Sequence, residues 1–149
     1  MFIDRRYIDD IKFGEESERN EHSKLEKIFG MKFRTTTKYA TFDFINDKEK
    51  TIIELKTIRY NRCFPAWMMI QNKINKARNL TRDGWDVYFV LLLQDGKRIF
   101  YLWDEEDFDD KCFKPFQRGD RMDCVKNYYY IKDNLFDEIG DDDLIYRSI

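Results

Sequence analysis

Histidine is almost missing from this chain. His22 is the single one among 149 residues. That excludes zinc sites built from several histidines, and it leaves few ways to assemble a Ser-His-Asp triad. Cysteine is scarce too. Cys63, Cys112 and Cys124 are odd in number, far apart and without a C-x-x-C pair, so neither a disulfide framework nor a Cys/His zinc module is expected. Six glycines and two prolines exclude collagen-like and low-complexity readings. Long apolar runs are absent as well. The longest, Val87 to Leu93, falls far short of the ~20 residues a membrane span needs. The start, Met1 to Arg6, has no apolar h-region, so the expectation is a soluble, intracellular protein with no membrane partner.

What is present is a core and a great deal of charge. Hydrophobic residues make up 42% and aromatics 17%, enough for one domain of this length to fold without cross-links. Charged residues make up 38%, with a net charge of only −2. With so few nitrogen and sulfur ligands, any metal chemistry must rest on carboxylates, which favours hard cations such as Mg²⁺ or Mn²⁺.

The charge is unevenly spread. Residues 55–82 carry seven basic side chains and no acid, whereas residues 83–149 carry 17 acids against nine bases. A stretch of 28 residues without a carboxylate suits a phosphate-facing surface. It equally suits a helix face that pairs with the acidic C-terminal part.

Hydrophobic patterning predicts a helix from Gly14 to Phe29 closed by Gly30, then strands at Lys32–Thr36, Ala40–Ile45 and Thr51–Ile58. Pro65 is expected to open a second helix over Ala66–Thr81, striped by Trp67, Ile70, Ile74 and Ala77. Trp85–Leu93 reads as a strand buried on both faces, followed by an Asp95-Gly96 turn and a strand at Arg98–Trp103. Residues 104–124 read as irregular, Lys126–Ile131 as an edge strand and Leu135–Ile139 as a short helix. The expectation is one domain over 1–149, with its core at 13–103 and an acidic, irregular extension at 104–149. Its element order is α-β-β-β-α-β-β, a sheet with helices on its faces.

One strand carries an anomaly. In Thr51–Ile58 the alternation of side chains puts Ile52, Glu54, Lys56 and Ile58 on one face. Charges in so apolar a strand are costly unless paired or used. An antiparallel hairpin with the preceding strand can bring Asp43 near Glu54. Two adjacent carboxylates call for a compensating charge, which a divalent cation supplies. Lys56 beside them can orient a water or stabilise charge developing on a phosphate. On the first helix, at about 100° per residue, Glu18 lies within about 20° of Leu25 and so faces the sheet.

The set Gly14-x-x-x-Glu18, Asp43 and Glu54-Leu55-Lys56 resembles the PD-(D/E)xK nuclease superfamily, which includes Holliday-junction resolvases, restriction endonucleases and recombination exonucleases. The resemblance covers about residues 13–80. The pattern [DE]-x-K recurs at Asp10, Asp95 and Asp109, but only Glu54-Leu55-Lys56 lies in a strand pattern behind an Asp-bearing strand. Phe42 stands before Asp43 where the family name has a proline. The resemblance implies a restriction-endonuclease-like α/β fold with a mixed central β-sheet flanked by helices. It implies that Asp43 and Glu54 ligate Mg²⁺ (or Mn²⁺), that Lys56 is the catalytic lysine and that Glu18 is an auxiliary ligand. Gln71 sits on the helix where some members carry a glutamine. The expected activity is hydrolysis of DNA, duplex or branched, with Arg59, Arg62, Lys73 and Lys76 on the phosphate backbone and a homodimer as the working form. The other readings are a non-catalytic nucleic-acid-binding protein on the same fold and an acidic protein-interaction module.

Overall fold

In a computed structural model of the chain, residues 20–36, 42–62, 65–108, 113–118 and 126–139 are described. Helix α1 (described over 20–29) ends at Gly30, whose φ of 66° is the left-handed conformation that glycine adopts without a Cβ penalty. The Met31 amide then donates back to the Glu26 carbonyl at 3.2 Å, closing the helix. Three strands follow as an antiparallel meander: β1 (Arg34–Thr35), β2 (Phe44–Asn46) and β3 (Thr51–Thr57). The chain then forms β4 (Ala66–Ile70) and helix α2 (Gln71–Arg82), and returns as β5 (Asp86–Leu92), parallel to β3. After β5 come β6 (Arg98–Leu102), β7 (Phe113–Arg118), β8 (Lys126–Lys132) and β9 (Asp137–Ile139).

Two sheets result. The larger has six strands in the order β1-β2-β3-β5-β6-β9, mixed because only β3 and β5 run parallel. The smaller, β4-β8-β7, is antiparallel. The protein is thus α/β, a mixed sheet with two helices.

The period-2 pattern of β3 and β5 divides the core. Ile53, Tyr88 and Val90 pack with Leu25, Ile28 and Phe29 of α1 on one face of the large sheet. Ile52, Val87, Phe89 and Leu91 pack with Ile74 and Ala77 of α2 and with Trp67 and Met69 of β4 on the other. Each fully buried large side chain of this kind contributes roughly 1.5–3 kcal/mol against the chain's ordering entropy. No helix among the described residues is long and apolar enough to cross a membrane.

The structure corrects the expected order in four places. Ala66–Ile70 is a strand, not the first turns of a helix. Trp67 and Met69 alternate into the core and the backbone of Ala66–Ile70 pairs with β8, so of the expected stripe only Ile74 and Ala77 lie on the helix. The segment expected to be irregular contains β7, where Pro115 is tolerated because β7 is the outer strand of its sheet. The strand near Lys126, expected at an edge, lies in the middle of the smaller sheet. Leu135–Ile139 is not a helix. A 3-10 turn over Asp133–Leu135 leads into β9, which takes the open edge of β6 and buries Phe136 and Ile139. The C-terminal part is therefore woven into both sheets rather than appended to a core ending at residue 103.

Candidate functional site: a buried carboxylate pair beside two lysines

Strand β3 outlasts its neighbour. It runs to Thr57, whereas the β2 ladder begins at Phe44, which is opposite Ile53. One residue earlier, the Asp43 amide still donates to the Ile53 carbonyl at 3.1 Å. The Asp43 side chain then takes over the role of a missing strand, with Oδ2 accepting from the Leu55 amide at 2.8 Å. That bond fixes the Asp43 carboxyl opposite Glu54. Phe42 and Phe44, two residues apart, enter opposite halves of the core because the chain bends at Asp43.

Glu54 lies in the middle of β3, on the face that packs against α2, and is only 5% exposed. Its carboxyl lies near enough to that of Asp43 for each to influence the other's ionisation. Burial, and then the charge of Asp43, push the Glu54 carboxyl up to about 8, against the opposing pull of Lys73. Asp43 is also raised, by burial first, and the Leu55 amide offsets part of that. Two like groups this close cannot both ionise cheaply without a cation.

Lys73 supplies one cation. It stands in the first turn of α2, which contains no acid, and its Nζ donates to Glu54 Oε1. The positive end of the helix dipole acts in the same direction. The other oxygen, Glu54 Oε2, is buried without a hydrogen-bond partner. An orphaned carboxylate oxygen in a core is costly, which marks it as kept for something else. Lys56 follows Glu54 on the same face, and its Nζ donates to the Met68 carbonyl of β4 at 3.0 Å.

The expected site residues thus separate. Asp43 and Glu54 come together, with Lys56 next along the strand. Glu18 lies outside the described residues, as do the three cysteines, and α1 packs on the face opposite Glu54. Gln71 is the first residue of α2, half-buried, two positions from Lys73. Arg59 and Lys76 are exposed. Arg62 is engaged elsewhere. It grips Asp133 at 2.8 Å and donates to the carbonyls of Asp133 and Phe136, tying the loop after β3 to the C-terminal strands. Lys73 is a member of the carboxylate site rather than an outlying arm.

The acid-free segment is largely neutralised within the molecule. Besides Arg62, Arg78 and Arg82 hold Glu105 at 2.8 and 3.5 Å, and Arg78 also lies over the Phe108 ring at 4.4 Å. Pairing with the acidic C-terminal part accounts for this share of the charge asymmetry.

Two features escaped the sequence. The place of Lys73 is visible in its spacing, four residues before the fully buried Ala77 and one before Ile74. The second is Glu21, buried on α1, which pairs with the equally buried Arg98 of β6 at 2.5 and 2.8 Å. Its spacing of four and seven residues from Leu25 and Ile28 puts it on the apolar stripe. His22 serves packing, stacked on Phe44 at 5.3 Å with Nε2 against the Phe33 carbonyl at 2.8 Å.

Among the described residues no cluster of three or more His, Cys, Asp or Glu side chains forms a metal-sized site. The candidate is a pair. A pair meets the demand of Mg²⁺, which keeps most of its waters and takes one or two carboxylates plus substrate phosphates. Scans against family models, curated proteins and solved structures each return no match.

Proposed function

We propose that the chain is a metal-dependent nuclease of the PD-(D/E)xK type that hydrolyses DNA phosphodiester bonds. The observation carrying this reading is the Asp43–Glu54 pair. The buried Glu54 carboxyl lies beside that of half-buried Asp43 where the β2 ladder begins, with Glu54 Oε2 left without a hydrogen-bond partner and an E-x-K lysine two residues on. The connection order supports it as well. A three-strand meander ends in the Glu54 strand, and a helix crossover returns a strand parallel to it, the order in which the resemblance arranges its parts.

In this reading Asp43 and Glu54 hold Mg²⁺ or Mn²⁺. The chemistry such an ion would supply there is a lowered pKa for a water and stabilisation of charge on the phosphate. The chain's own groups do the rest. The Leu55 amide fixes Asp43, the core fixes Glu54, and Lys56, whose ammonium donates to the Met68 carbonyl, would hold the attacking water or the phosphate's developing negative charge. Arg59 and Lys76, both exposed, would serve the DNA backbone.

Labelled single-stranded, duplex, flapped and four-way-junction DNA, incubated with Mg²⁺, Mn²⁺ or EDTA, tests this. Cleavage is expected with metal only, and the preferred substrate defines the role. Salt-sensitive binding without cleavage by a folded sample would replace the reading with a binding module. Neither binding nor cleavage would leave the acidic surface and a protein partner.

A further inference from the structure

Glu54 and Lys73 are unequal partners in their ion pair. The Glu54 side chain is 6% exposed and rises from the centre of a strand hydrogen-bonded on both sides. It has nowhere to swing. Asp43 is equally fixed, by the Leu55 amide. Lys73 is 27% exposed, on a flexible four-carbon stem at the start of α2. Of the two ion-pair partners, the ammonium is the one with a route to solvent.

We propose that Lys73 is the internal counter-ion of the carboxylate pair, and that a divalent cation engages Asp43 and Glu54 only by displacing the Lys73 ammonium from Glu54. The inference rests on the metal-binding reading above and extends it to regulation of that site. An ammonium on Oε1 and a dication on Oε2 of the same carboxylate repel each other strongly in a partly dry site. The fixed carboxylates cannot move to avoid this repulsion, so the lysine must. Lys73 therefore weakens cation binding and keeps the pair neutralised until the cation arrives. Once released, its head sits at the mouth of the site, where an incoming phosphate offers it a new partner.

The test uses the full chain and Mg²⁺ alone. Calorimetry first measures Mg²⁺ binding to the wild type, with Glu54→Gln and Asp43→Asn as controls. Binding abolished by either substitution is expected. No binding that depends on these residues would overturn the metal reading itself, and this inference with it. Amine labelling with an N-hydroxysuccinimide ester, resolved by residue with mass spectrometry, is then run with and without saturating Mg²⁺. Lys73 should label at least about fivefold faster with Mg²⁺, while Lys76, one turn along the exposed side of the helix, keeps its rate. If Mg²⁺ binds through Glu54 and Lys73 labels no faster, the displacement is wrong while the metal site stands.

Discussion

Burying Glu54 works against the fold, and the cost depends on pH. Its carboxyl is raised from 4.5 to about 8, so between those values the folded chain binds more protons than the unfolded one. Stability of the metal-free protein therefore falls as pH rises from about 4.5 to about 8 and levels off above. The size is of order a few kcal/mol. Asp43, also raised, acts in the same direction. Thermal melts in EDTA at pH 6 and pH 9 should show the lower midpoint at pH 9. Glu54→Gln should remove most of the difference, and a wild-type melt that is higher at pH 9 would contradict the sign. The pair was legible in the sequence because a lone Glu-x-Lys inside an apolar strand, behind an Asp one hairpin away, violates strand chemistry. Lys73 was counted among surface cations because charge composition says nothing about direction. Its spacing from Ile74 and Ala77 carried that information.

Elements are held in place by a few polar ties. The Glu21–Arg98 pair joins α1 to β6 with both side chains 3% exposed. Removing one member leaves an unpaired buried charge, so Glu21→Gln or Arg98→Met should cost about 3–5 kcal/mol in urea unfolding. The double variant Glu21→Leu/Arg98→Met should recover most of that loss. Equal losses in the single and double variants would show that the ion pair is not what matters there. At this scale the sequence was read well where periodicity was long, as in β3, β5 and the described end of α1, and misread where it was short. Trp67 and Ile70 fit a helical stripe, but Trp67 and Met69 fit a strand, and five residues cannot decide between the two. The decision came from β8, about 60 residues further along, whose backbone supplies the missing hydrogen bonds.

Across the whole molecule, the C-terminal third completes what the first two thirds begin. Strand β8 covers β4, β9 covers β6, and Asp133 receives both Arg62 and the Trp67 indole at 2.7–2.8 Å. A chain cut after residue 103 exposes Trp67, Met69 and the edge of β6. It should lose near-UV circular dichroism and resist proteolysis poorly, and a stable, cooperative fragment would contradict this. Of this the strand at Lys126–Ile131 was legible in advance but its central place was not, because the acids of residues 104–143 masked short strands whose partners lie far away in sequence. The basic segment read equally as a phosphate-facing surface and as a face paired with the acidic C-terminal part, and Arg62, Arg78 and Arg82 pair with Asp133 and Glu105. The central claim concerns the carboxylate pair, and the rate of Mg²⁺-dependent DNA cleavage by wild type, Asp43→Asn and Glu54→Gln tests it most directly. The account predicts cleavage by the wild type that EDTA abolishes, and a loss of at least about a thousandfold in each variant with the fold intact. Cleavage at the wild-type rate by either folded variant would contradict it.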